Sequence, residues 1–132
     1  MSDDLLNVQG LRTWFPTPKG TIKAVDGVDL VLKRGQILGL VGESGSGKSI
    51  TGFSLLGLVD PPGKVVEGRI GFMGEDLREA SPARLRELRG NRIAMIFQDP
   101  MMTLNPVLKI ATQMIETVLA HKKVSRSEAR AI

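Results

Sequence analysis

Residues 38–53 read LGLVGESGSGKSITGF, an apolar run that breaks into glycines and serines and then meets a cation. Gly42, Gly47, Lys48 and Ser49 fit the spacing G-x-x-x-x-G-K-S in full, the pattern of a loop that wraps phosphate. Each residue type has a task in that chemistry. Glycines at Gly42, Gly45 and Gly47 reach backbone angles closed to other residues and let peptide N–H groups converge on one anion. A helix opening at the loop adds the positive end of its dipole. Lys48 supplies a point charge to the terminal phosphates, and the Ser49 hydroxyl a ligand for Mg²⁺. The candidate binding residues are therefore Gly42, Glu43, Ser44, Gly45, Ser46, Gly47, Lys48, Ser49 and Ile50, and the expected ligand is a nucleoside triphosphate with magnesium.

Phosphoryl chemistry needs a second polar group at a neighbouring strand end. Asp60 lies a helix length after Lys48 and just before Pro61 and Pro62, so it marks a helix exit. The stretch AMIFQDP is better placed, because it ends a strand-like run at Gln98 with Asp99 next. Period-two alternation points these two side chains in different directions. Gln98 is the stronger candidate, with an amide oxygen for Mg²⁺ and an amide donor for the attacking water. A Gln and Asp that merely cap a turn before Pro100 are the alternative, left open at this point.

The elements that must position these groups follow from periodicity and punctuation. Residues 5–33 hold two β-type stretches, LLNVQGLRTWF and TIKAVDGVDLVL, separated by PTPKG, which reads as an antiparallel flank with a hairpin or loop. QILGLVG is a continuous apolar run, as expected for a parallel strand buried on both faces. A helix is expected over residues 48–58, a loop over VDPPGKVVEG, and a strand and turn over GRIGFMGED. SPARLRELRG carries its own helix signals: Ser81 as N-cap, Pro82 in the first turn and Gly90 past the last. RIAMIFQ reads as a second buried strand. After Asn105 and Pro106, read as a cap and first-turn pair, apolar residues at Val107, Ala111, Met114, Ile115, Val118 and Leu119 have amphipathic-helix spacing. Ser125 and Glu128 have capping-box spacing at the start of a last helix.

Composition narrows the function classes. At 132 residues the chain fits one domain or part of one, and no apolar run approaches the ~18 to 20 residues of a membrane span. The start, MSDDLLNVQG, is acidic and lacks the apolar core of a secretory signal, so the expected compartment is the cytosol. With no cysteine, disulfides and thiolate metal sites are excluded within these residues. The net charge of +4 is uneven: residues 1–77 carry 8 basic and 9 acidic side chains, residues 78–132 carry 10 and 5. Nucleic-acid binders interleave basic residues with stacking aromatics, and no aromatic lies beyond Phe97. No nucleic-acid partner is expected.

The whole chain resembles the first half of an ATP-binding cassette ATPase, above all the ATPase subunits of bacterial oligopeptide and dipeptide importers. The residues that carry the resemblance are AVDGVDLVLKRGQILGLVGESGSGKS, MIFQDPMMTLNPVL and SRSEARA. It implies an α/β fold, with a P-loop NTPase core, an antiparallel β flank and the start of a helical subdomain. The expected boundaries within this one incomplete domain are 1–35 for the flank, 36–100 for the core to the Q-loop, and 101–132 for the helical part. It also implies ATP as the nucleotide, Lys48 and Gln98 as catalytic groups, and Ser49 and Gln98 at the Mg²⁺. Phe15 falls where the family places an aromatic on the adenine ring, and Trp14 beside it could substitute, since alternation lets only one face the nucleotide. The implied partners are a second ATPase subunit, transmembrane permease subunits and, indirectly, a substrate-binding protein, at the cytoplasmic face of the bacterial inner membrane. Met102 stands where these importers usually carry Thr or Ser.

The family's Leu-Ser-Gly-Gly-Gln signature, its apolar strand ending in Asp-Glu and its switch histidine would all follow Ile132. These 132 residues alone are accordingly expected not to turn over ATP. His121 lies on the amphipathic stretch and reads as a surface residue. Three other readings stay open: a non-transport cassette ATPase acting on DNA, a small-molecule kinase using Asp99 as its metal-organising acid, and a nucleotide-binding remnant without activity.

Overall fold

A computed structural model describes residues 3–99, 101 and 103–132; the departure noted at Met102 lies outside them. The chain divides into two compact units, Met1–Leu85 and Arg86–Ile132.

The first unit is built on β1 (Asp4–Thr17), β2 (Gly20–Lys33), β3 (Lys64–Phe72) and β4 (Glu75–Asp76). They form an antiparallel sheet in the order β2-β1-β3-β4, and one helix, α1 (Lys48–Leu56), touches β1, β2 and β3. The expected hairpin is present, with Thr17 Oγ1 donating to the Gly20 carbonyl across a short turn (2.6 Å). β3 begins at Lys64 rather than after the expected loop. Lys64 and Val65 pair with Trp14 and Thr13 of β1, and ladder pairing overrides the turn signal of the preceding prolines.

A bulge sets which side chains of β1 face the helix. Val8, Leu11 and Thr13 are all fully buried, although residues three apart on a regular strand face opposite sides. The register against β2 slips between Val8 and Leu11, and the extra residue re-phases the strand. Gly10 takes φ +58° there, and its N–H is held by the Asp29 carboxylate at 2.6 Å. Opposite, on β3, Gly68 has φ +104°, and a Cβ on it would lie 2.6 Å from the Gly10 carbonyl oxygen. The rephased face contributes Val8 and Leu11 to a core with Val25, Leu56, Ile70, Phe72 and Leu77. On β1 Arg12 bridges Asp26 of β2 (3.2 Å) and Glu67 of β3 (2.5 Å), and its pKa is raised first of all by the hydrogen bond it donates to Glu67. At this exposure such pairs add little stability.

Segment 36–42, expected as a buried parallel strand, forms no strand ladder among the described residues. Ile37 is 96% exposed. A strand exists only through its ladder to a neighbour, and among the described residues none of the four strands of this antiparallel sheet pairs with the run.

The second unit behaves likewise at RIAMIFQ: Ile93 makes an isolated bridge to Arg89, and Ile96 is 98% exposed. α2 (Pro82–Leu88) has the expected signals, with Ser81 Oγ accepting from the Arg84 N–H (3.1 Å) and Gly90 at φ +74°. α3 (Ile110–His121) starts four residues later than Pro106. The reason is a glutamine: the Gln113 side chain bonds the N–H and carbonyl of Asn105 and the carbonyl of Leu108, while Asn105 Oδ1 accepts from Val107 N–H. Those bonds hold residues 105–108 as a turn instead of a first helical turn. No residue of α3 is fully buried, so its apolar stripe is at most half-covered. His121 is half-buried rather than a free surface residue, its ring beside Gly90. α4 (Arg126–Ala131) carries the capping box as read: Glu128 accepts from the Ser125 N–H at 2.7 Å and Ser125 Oγ from the Glu128 N–H at 3.2 Å. The backbone bond from Ser125 holds the Glu128 carboxyl below its usual range.

The bulge predicts an asymmetry between two glycines. Gly68→Ala adds left-handed strain and a backbone collision, an expected loss of about 2 to 4 kcal/mol. Gly10→Ala meets no atom within 4 Å and incurs only the strain, about 1 to 2 kcal/mol. Urea unfolding of the two variants measures both, and a Gly10 variant weaker than the Gly68 variant would contradict this account of β1.

Candidate functional site

Residues 42–47 fold into a tight loop ahead of α1. The Ser46 N–H bonds the Glu43 carbonyl (3.1 Å), and Gly45 and Gly47 take φ +80° and +99°, the left-handed backbone from which anion-binding nests are built. At Gly42 the requirement is space: a Cβ there would lie 2.5 Å from Ser46 Oγ. Gly47 has both requirements. It stands at the N-cap of α1 in the left-handed region, and a Cβ would run into the carbonyl oxygen of Ala24 on β2. The helix can start this close to the sheet only because the residue is glycine.

Lys48 lies across the loop. Its Nζ donates to the carbonyls of Gly42 (2.5 Å) and Glu43 (2.7 Å) and reaches Ser46 Oγ at 3.3 Å. An ammonium held by three loop oxygens at the start of a helix is positioned for an anion, because an incoming phosphate offers stronger charged acceptors than neutral carbonyls do. Residues Gly42, Glu43, Ser44, Gly45 and Ser46 are exposed, as is Ser49 in the first turn of α1, while Ile50 is half-buried. The cradle that a Cβ at Gly42 would fill, the ammonium and the helix N-terminus fit a polyphosphate. A hydroxyl at Ser49 fits a Mg²⁺ held mostly by water and phosphate oxygens; among the described residues no cluster of three or more His, Asp or Glu side chains offers a separate metal cage.

Three hydroxyls that sequence reasoning did not single out fix the helix beneath the loop. Thr51 donates through Oγ1 (2.8 Å) and N–H (2.9 Å) to the Gly47 carbonyl. Ser54 donates to the Ile50 carbonyl (2.6 Å). Its single hydrogen being spent there, the 2.7 Å contact between Ser54 Oγ and Thr13 Oγ1 must have Thr13 as donor. All three are buried. The available signal was polar residues at positions where the pattern of strand and helix calls for apolar ones.

Phe15 and Trp14 separate as alternation requires. Trp14 shares the Arg12 side: its Nε1 donates to Asp26 at 3.3 Å, and the Lys23 ammonium sits 4.7 Å from its ring centroid, a cation–π arrangement. Phe15, two residues from Thr13, pairs with Ile22, and its half-buried ring presses on Gly63 closely enough that a Cβ there would collide with it. Gln98 is exposed and belongs to the second unit. Asp99 Oδ1 accepts from the Met101 N–H (2.9 Å), so among the described residues a turn-capping bond is made by Asp99. The structure therefore gathers residues 42–50 into one loop and helix start, and leaves Gln98 in a separate unit.

Comparison with known proteins bears on the whole chain. A family model described as ABC transporter matches residues 25–132. The oligopeptide transport ATP-binding protein AppD of Bacillus subtilis (strain 168) is 46% identical over 127 residues, 96% of this chain and 39% of that protein. The oligopeptide transport ATP-binding protein OppD of Escherichia coli (strain K12) is 44% identical, over 97% of this chain and 38% of that protein. A bacterial ABC transporter cassette solved as a dimer superposes with a TM-score of 0.80 at 22% identity, covering 96% of this chain and 53% of that one. The last shows the fold alone. The chain spans about two fifths of the length of the curated relatives it matches.

The loop geometry predicts that inorganic triphosphate with Mg²⁺ binds the chain, and that Lys48→Ala weakens it by about ten- to a hundredfold, the loss of one charge-assisted contact of ~1.5 to 3 kcal/mol. Titration calorimetry reads both. Unchanged affinity in the variant would contradict the placement of the ammonium over the loop.

Proposed function

The chain belongs to the ABC transporter family, and we propose that it is the nucleotide-binding first part of an ATPase subunit that drives peptide import. The observation that carries the reading is the loop itself: Gly42 to Gly47 wrapped beneath the Lys48 ammonium at the start of α1.

In this proposal the β- and γ-phosphates of ATP take the place of the Gly42 and Glu43 carbonyls as acceptors for Lys48. The N–H groups of the loop and of the first turn of α1, apart from that of Ser46, which bonds the Glu43 carbonyl, hold the phosphate oxygens, and the Ser49 hydroxyl holds Mg²⁺. When bound, Mg²⁺ neutralises phosphate charge. Phe15 stacks on the adenine ring; Trp14 is already engaged by Asp26 and Lys23, which favours Phe15 of the two. Gln98 takes the Q-loop role, responding to the γ-phosphate and leading toward the permease, as the family resemblance implies. Asp99 as a kinase-type metal organiser is disfavoured by its bond to the Met101 N–H.

Hydrolysis, transported substrate and assembly belong to the longer protein whose relatives this chain matches over two fifths of their length. The partners proposed for it are a second ATPase subunit, permease subunits and a substrate-binding protein, at the cytoplasmic face of the inner membrane. Among the described residues no helix is long and apolar enough to cross a membrane. The attachment proposed, from the family resemblance, is peripheral and made through the permease.

The test compares three ligands on one chain. Mg·ATP is expected to bind more tightly than Mg·triphosphate, and both far more tightly than adenosine. Phe15→Ala should cost about 1 to 3 kcal/mol of ATP affinity, the scale of base stacking on an aromatic ring. Equal affinity for ATP and adenosine would overturn the nucleotide reading, and a silent Phe15→Ala beside a damaging Trp14→Ala would move the adenine platform by one residue.

A further inference from the structure

Thr13 and Ser54 place two hydroxyls, 0% and 2% exposed, in a core otherwise lined by Val8, Leu11, Val25 and Leu56. Burying them costs desolvation that valine and alanine of similar size would avoid. What hydroxyls add is direction: a hydrogen bond fixes the relative rotation and height of two elements. The 2.7 Å Thr13–Ser54 contact and the 2.6 Å bond from Ser54 to the Ile50 carbonyl run from β1 into the first turn of α1. Thr13 is two residues from Phe15 on the same side of β1, and Ile50 is two residues past Lys48.

We propose that Thr13 and Ser54 are positioning residues that hold the strand bearing Phe15 and the helix bearing the phosphate loop at one spacing, so that a nucleoside triphosphate meets base platform and loop together. This rests on the reading of Phe15 as the adenine contact. A ligand held at its phosphates presents its base to Phe15 at high effective concentration only while the two elements keep their spacing. The loop's own shape does not depend on the pair: Thr51 holds the Gly47 carbonyl, and Gly47 lies on Ala24. Loosening the pair therefore separates the contribution of the base from that of the phosphates.

The experiment titrates the full chain and its Thr13→Val, Thr13→Ser and Ser54→Ala variants with Mg·ATP and with Mg·triphosphate, after thermal melts establish that each is folded. Thr13→Val is expected to lower ATP affinity about five- to tenfold while changing triphosphate affinity by less than about twofold. Thr13→Ser, which keeps the hydroxyl, is expected to restore the ATP value. Ser54→Ala gives a second reading should Thr13→Val not fold. Equal losses for the two ligands, or no loss for either, would overturn the inference while leaving the adenine reading intact. A wild-type chain that binds ATP no more tightly than triphosphate would instead remove the base contact, and the inference with it.

Discussion

Only a hydrogen stands on Gly47 where the start of α1 meets the backbone of β2, and the seating of the helix and its loop on the sheet depends on that approach. Any side chain there would strike the Ala24 carbonyl and lift the helix from the sheet. With the helix down, Thr51 can hold the Gly47 carbonyl and Ser54 can receive the Thr13 hydroxyl. The loop ahead of the helix is then anchored at one end to an antiparallel sheet whose face was itself set by the bulge at Gly10. A phosphate-binding loop needs little energy of its own under these conditions, because the surrounding backbone fixes its geometry before any anion arrives.

The polar groups around the loop divide into those that hold and those free to act. Buried hydroxyls of Thr13, Thr51 and Ser54 have all their donors engaged inside the protein. Lys48 and Ser49 lie on the open side. A lysine bonded to its own loop carbonyls can change partners at modest cost, since neutral acceptors bind an ammonium less strongly than phosphate does. Trp14 and Phe15 show the same division across β1, one held by Asp26 and Lys23, the other pressed on Gly63 with part of its ring exposed.

Local signals in the sequence were readable wherever local chemistry decides structure. The hairpin, the N-cap at Ser81, the capping box at Ser125 and Glu128, and the loop with its helix all follow from residues close in sequence. The apolar runs around Ile37 and Ile96 look like strands by composition, yet strand pairing depends on partners far along the chain, and neither run has a ladder among the described residues. The start of α3 was misplaced for a different reason, since the Gln113 side chain holds Asn105 in a turn and no propensity scale contains that bond. Thr13 and Ser54 were missed because a hydroxyl on an apolar face signals a partner without naming it.

The central claim is that the backbone of residues 45–49, with the Lys48 ammonium above it, is where phosphate binds. It is tested most directly by amide spectra of the isotope-labelled chain titrated with Mg·triphosphate. The account predicts that the amide signals of Gly45, Gly47, Lys48 and Ser49 shift together with saturation, ahead of any others in the sheet. Saturable binding that leaves those four amides in place while moving signals elsewhere would contradict it.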